Sequence, residues 1–223
     1  MSATAAATRA GFFETTVGKK IVMAVTGVIL AGFLVGHMAG NLQIFAGATT
    51  INRYGALLHA SDELLWGVRI VLIAALILHI RAALQLYARK AAARPVAYAK
   101  KANRASTPAS RFMINSGYAL GAFIVYHILH FTVGIAHPDF IRGDVFHNVT
   151  VAFSDWRIAG IYVVAMAFLS MHLSHGLFSL TQSLGLENPR HAARAKRVAQ
   201  ALAVIIAAGF AAVPIFVLAG VVK

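Results

Sequence analysis

Apolar residues run in long stretches along this chain, broken by short segments rich in Lys, Arg, Asn and Pro. A helix needs about 20 apolar residues to cross the hydrocarbon core of a bilayer. Five stretches reach that length: Ile21–Phe45, Leu64–Tyr87, Phe112–Ala136, Ile158–Gly185 and Val198–Val222. Charge or turn chemistry closes the spans, as at Lys19-Lys20, His137-Pro138-Asp139 and Asn188-Pro189. Pro214 lies inside the fifth and is expected to kink it, which membrane helices tolerate. The pattern predicts an all-α integral membrane protein. It is a single domain over residues 1–223, built as a bundle of five transmembrane helices. No internal repeat is visible, and the connecting segments are too short to fold as a separate water-soluble domain.

Composition agrees: 59% of the 223 residues are hydrophobic and only 12% charged, where a soluble domain carries about a quarter charged residues. The mean hydropathy is +0.73. Met1 to Ala7 lacks the basic-then-apolar order of a cleavable signal, so no removal is expected.

The net charge of +13 bears on topology and not on nucleic acid, because the basic residues sit between the spans. One side collects Arg9, Lys19 and Lys20; Arg89, Lys90, Arg94, Lys100, Lys101, Arg104 and Arg111; and Arg190, Arg194, Lys196 and Arg197. The other has Arg53, Arg142, Arg157 and Lys223, together with five of the seven acids. Fourteen cations against four place the N-terminus in the cytoplasm and the C-terminus outside.

There is no cysteine, which excludes disulfides, thiolate zinc sites, iron–sulfur ligation and thiol nucleophiles. The ten histidines become the candidate ligands. Six fall within the spans: His37, His79, His127, His130, His172 and His175. An imidazole in hydrocarbon is costly unless bonded, so an ionisable residue there points to function. Neutral imidazole is a good ligand for iron, and bundle cofactors are held by side chains on facing helices.

A rise of 1.5 Å per residue sets the depths. His37 and His127 lie roughly 24 Å and 22 Å from the cytoplasmic face, His130 near 27 Å. His79 lies roughly 12 Å from it, His175 near 15 Å and His172 near 20 Å. Two levels emerge, an outer pair on helices one and three and an inner pair on helices two and four. This is the arrangement of two stacked bis-histidine haems. Depth favours His175 over His172 as partner of His79, but helix tilt blurs a difference of about 5 Å. Gly27, Gly32, Gly36 and Gly40 would let a flat ring approach helix one, as they would let a second helix approach. Phe33, Phe123, Phe131 and Phe178 are available to pack on it.

At these residues the sequence resembles the cytochrome b membrane-anchor subunit of succinate:quinone oxidoreductase, in the single-subunit dihaem type shared with bacterial fumarate reductases. The resemblance covers essentially the whole chain. It is carried by Lys19-Lys20, Thr26-Gly27, Gly36-His37-Met38 and Gly40-Asn41-Leu42 on the first span. The second span carries His79 and a basic end at Arg89-Lys90; the third carries Val125-Tyr126-His127. On the fourth, His172 stands four residues before Gly176-Leu177-Phe178.

The resemblance implies that His37 and His127 hold an outer haem b, and His79 and His172 an inner one. His130 and His175 become haem neighbours. It implies a multi-pass protein of the bacterial cytoplasmic (inner) membrane, as part of a respiratory complex II that feeds the tricarboxylic acid cycle into electron transport. Partners are a flavoprotein subunit and an iron–sulfur subunit, which carry the succinate chemistry. The substrate of this chain would be a quinone, menaquinone or ubiquinone, and a higher oligomer of the complex is a further expectation. The positions aligned with the family's haem-propionate partners read Met23, Ala24 and Ser183, so those contacts do not carry over. Glu63 lies too close in sequence to His79 to serve as the carboxylate found near the outer quinone site of some members.

Quinone carbonyls need hydrogen-bond donors at the membrane edge. Asn41, Gln43, Asn52, Arg53 and Tyr54 qualify on the outer side, Lys20, Thr26 and Arg111 on the inner. Two rivals share part of the pattern. A haem b subunit of a hydrogenase or formate dehydrogenase would share the helices and histidines but not the combined motifs. A proton-coupled transporter with histidine relays would contain no haem.

Overall fold

The computed structural model describes residues 11–93, 108–186 and 188–223. Among these residues the chain is all-helical, 84% helix with no strand. Five of its helices are long and apolar enough to cross a membrane. The expected cations Arg9, Arg94, Lys100, Lys101 and Arg104 lie outside the described residues.

Helix α1 (Thr16–Asn41) starts where the Thr15 hydroxyl accepts a hydrogen bond from Gly18 N, at 3.0 Å. It runs on as a 3₁₀ segment, Leu42–Ala46, and stops at Gly47, whose φ of +94° suits only glycine. A short helix, α2 (Ala48–Leu58), follows. Helix α3 (Asp62–Ala92) is capped by Ser61, whose Oγ accepts from Leu64 N. Asp62 and Glu63 in its first turn and Arg89 and Lys90 in its last complement the helix dipole. After the short α4 (Pro108–Arg111), α5 (Met113–His127) passes into a π-helical turn, Ile128–Val133. Gly134, at φ +89° with the Phe140 ring against it, ends that turn.

Helix α6 (Val145–Ser154) is capped by Asp144 and α7 (Trp156–Ser183) by Asp155. Helix α8 (Ala192–Leu218) continues through Pro214, which is buried. The third span thus ends three residues before the expected Ala136 and the fifth four before Val222, in each case at a turn. The fifth begins six residues earlier than expected, because the basic stretch Arg194–Arg197 is helical as well.

Successive spans run in opposite directions. Lys19 Nζ donates to Gln85 Oε1 at 2.7 Å and Arg89 donates to the carbonyl of Glu14 at 2.7 Å, so the start of α1 meets the end of α3. At the opposite end, α2 and α6 are clamped together. Asn52 donates to Asp144 Oδ1 and accepts from Phe146 N, both at 2.9 Å.

Burial is uneven. One buried cluster lies at the α2–α6 end, with Ile44, Ile51, Val149, Phe153, Tyr162 and Val213 among its members. A second lies along α7 and α8, around Met166, Leu169, Leu173, Ala203 and Ile206. By contrast α3 buries only Ala75 and Ala82. Its remaining apolar surface suits contact with lipid, since lipid tails are as apolar as Leu. α1 packs chiefly on α3, and α7 on α8 and α5.

Candidate haem ligands and their hydrogen-bond partners

The fold brings four of the six intramembrane histidines into two facing pairs. His37 on α1 and His127 at the end of α5 have ring centroids 5.9 Å apart, with planes at 77°. His79 on α3 and His172 on α7 have centroids 6.3 Å apart, at 56°. Metal–imidazole bonds of about 2.0 Å, plus about 1.1 Å from nitrogen to ring centre, give about 6.2 Å between two rings sharing one metal. Both pairs match that spacing. The depth estimate favoured His175, yet it is His172 that faces His79; His175 sits three residues on, half-buried.

Hydroxyl groups grip the second pair. Thr26 Oγ1 lies 3.2 Å from His79 Nδ1 and 2.7 Å from the carbonyl of Val22. Its single proton goes to that carbonyl, so the oxygen accepts from His79 Nδ1–H. Ser116 repeats the device: its Oγ donates to the carbonyl of Met113 at 3.0 Å and lies 3.3 Å from His172 Nδ1. With protons assigned by this network, Nε2 of both rings carries the lone pair a metal needs. Glycines make room beside both rings. A Cβ on Gly27 would stand 3.5 Å from His79 Cε1, and one on Gly117 3.7 Å from His172 Cε1.

Aromatic rings surround the first pair. Phe33 stacks on His37 at 5.2 Å and 13°, Phe123 on His127 at 5.8 Å, and Phe210 and Phe131 approach from other sides. The Tyr162 hydroxyl is shared, 3.3 Å from His127 Nδ1 and 2.9 Å from His130 Nδ1. A phenol both donates and accepts, so it can serve the two rings at once. His130 is fully buried between Tyr126 and His137, and its Nε2 has no hydrogen-bond partner. The glycine strip of α1 divides. Gly27 faces His79 and Gly40 packs under the Tyr54 ring, while Gly32 and Gly36 have no neighbour within 4 Å of an added Cβ.

The expected quinone donors separate too. Asn41 Nδ2 donates to the carbonyl of His37 at 2.7 Å and lies 3.4 Å from that ring's nitrogens. Asn52 is committed to α6. Arg53 and Tyr54 line an open pocket of about 630 Å³ with Gln43, Thr49, Thr50 and Leu57. Lys20 and Arg111 are exposed, and Thr26 is taken up by His79. Among the described residues no three His or acidic side chains converge on one point, so the candidate ligands are grouped as the two imidazole pairs.

Sequence reading missed Ser116, Tyr162 and Phe210. Hydroxyls and aromatics are common in membrane helices, and nothing in their spacing marks them until the helices are packed. No family model matches the chain, and neither a curated protein nor a solved structure does.

Proposed function

We propose that this chain is a dihaem cytochrome b of the bacterial cytoplasmic membrane, the anchor subunit of a succinate:quinone oxidoreductase. The observation that carries the reading is the two histidine pairs, at 5.9 Å and 6.3 Å, each joining two different spans. His37 and His127 would hold the outer haem, His79 and His172 the inner one. Haem bound at each pair would supply a one-electron redox centre. The chain itself fixes the tautomers of His79 and His172 through Thr26 and Ser116, leaving Nε2 of each as the ligating atom, and Tyr162 holds His127 in place. The aromatic side chains around His37 and His127 exclude water.

The Lys/Arg asymmetry supports a cytoplasmic N-terminus, with His79 and His172 nearer the cytoplasm. The basic cytoplasmic ends offer a complementary surface to the flavoprotein and iron–sulfur partners. The Gln43–Arg53–Tyr54 pocket, at the end carrying His37, suits a quinone head: its donors meet carbonyl oxygens, and Leu57 meets the apolar ring.

The test is purification of the complex from membranes. Flavin and iron–sulfur subunits should accompany the chain, and added succinate should reduce b-type haem in an optical difference spectrum. Haem reduced by hydrogen or formate and not by succinate would reassign the chain to another quinone-linked complex. A colourless preparation would favour a transporter.

A further inference from the structure

Lys19 is 7% exposed, one of the few buried charged or polar groups in the structure. Its ammonium has three protons to donate, and the partner seen is the neutral amide of Gln85, at 2.7 Å. Among the described residues the ion pair present is His147 with Asp139, at the other end of the bundle. A buried cation without an anion is expensive. Its neighbours do not share the problem, since Lys20 and Arg89 are exposed. Lys19 stands seven residues before Thr26, hence on the same face of α1 and about 10 Å nearer its start. Thr26 is the residue whose hydroxyl holds His79. Gln85 stands six residues past His79, about 9 Å along α3 in the same direction. The buried ammonium and its amide therefore lie below the His79–His172 pair, beside the helix face that grips the ligand.

We propose that Lys19, assisted by Gln85, is the anchor for a carboxylate of the group held by His79 and His172, a haem propionate. The assignment rests on the dihaem reading. It fills the place left by Met23, Ala24 and Ser183, which offer no cationic contact. It also explains why a lysine is buried where α1 and α3 close on each other below the histidines. A cation beside a haem favours the reduced form, because the ferric state carries one more positive charge.

The test is potentiometric titration of the isolated complex carrying Lys19→Gln or Lys19→Arg. The inner haem is identified as the one lost in His79→Ala. Lys19→Gln is expected to retain both haems and to shift the reduced-to-oxidised ratio of the inner haem about tenfold toward oxidised, or 59 mV for one electron. The outer haem stays in place, and Lys19→Arg recovers most of the shift. An unchanged inner potential in Lys19→Gln, or a shift confined to the outer haem, overturns the anchor while leaving the dihaem reading intact. Loss of co-purified anionic phospholipid with no change in the inner haem does so too, and assigns the ammonium to a lipid phosphate. A wild-type complex without haem overturns the reading beneath it. Should Lys19→Gln not accumulate, infrared redox-difference spectra with haem ¹³C-labelled at the propionates decide. A labelled carboxylate band in the inner-haem step that moves in Lys19→Arg supports the anchor, and an unmoved band overturns it.

Discussion

Thr26 and Ser116 do for two histidines what a carboxylate or carbonyl does in many metal proteins: they accept a hydrogen bond from Nδ1–H, which keeps the proton there and leaves Nε2 bare. Each hydroxyl is itself tied to a carbonyl of its own helix, at 2.7 Å and 3.0 Å, so its role as acceptor is fixed. Thr26→Val and Ser116→Ala should therefore weaken retention of the inner haem by about 10- to 100-fold while leaving the outer haem unchanged. Haem release to an apo-globin acceptor measures this; equal losses from both sites would contradict it. Tyr162→Phe should act on the other pair alone, since the phenol oxygen is shared by His127 and His130. At this scale the histidines were legible in the sequence, because an imidazole in an apolar run has no ordinary reason to be there. Their partners were not, because Thr26, Ser116 and Tyr162 acquire their roles only from packing. The choice between His172 and His175 was also beyond a rise-per-residue argument. Tilted helices bring residues of unequal nominal depth to one level.

The five spans could be read directly from apolar length, since water cannot satisfy a backbone inside hydrocarbon and only a helix satisfies itself. The connecting helices α2 and α6 could not. Each is too short to cross the membrane, 11 and 10 residues, and they hold one another through Asn52, Asp144 and Phe146. Asn52, expected as a quinone donor, is a structural clamp in this arrangement. Asp144 also caps α6, accepting from His147 N at 3.0 Å. That backbone N–H, and then Asn52, hold its carboxyl below the ordinary aspartate value of 3.8. A depressed folded value means the stabilisation is complete above pH 3.8 and is lost as pH falls through the lower folded value. Asp144→Ala should remove about 1 kcal/mol of local stability, as loss of an N-cap does. Hydrogen exchange at Val145 to Asn148 reads this out, with faster exchange expected in the variant and unchanged exchange counting against the clamp.

Across the whole molecule the charge asymmetry makes a prediction of its own. The chain has no cysteine, so single cysteines report on one place each. One at exposed Ala193, at the start of α8, should react with an impermeant thiol reagent only from the cytoplasm. One at exposed Ala48, at the start of α2, should react only from outside. The reverse pattern would invert the orientation and exchange the inner and outer assignments of the two pairs.

If the proposal holds, the two pairs of histidines are two separate haem sites. The most direct measurement is haem b per chain, by pyridine haemochrome, in the purified complex and in single alanine variants of the four histidines. The wild type should contain two. His37→Ala and His127→Ala should lose the same spectral component, and His79→Ala and His172→Ala the other, while His130→Ala and His175→Ala keep both. One haem or none in the wild type would contradict the account. So would loss of a haem in His175→Ala while His172→Ala retained both.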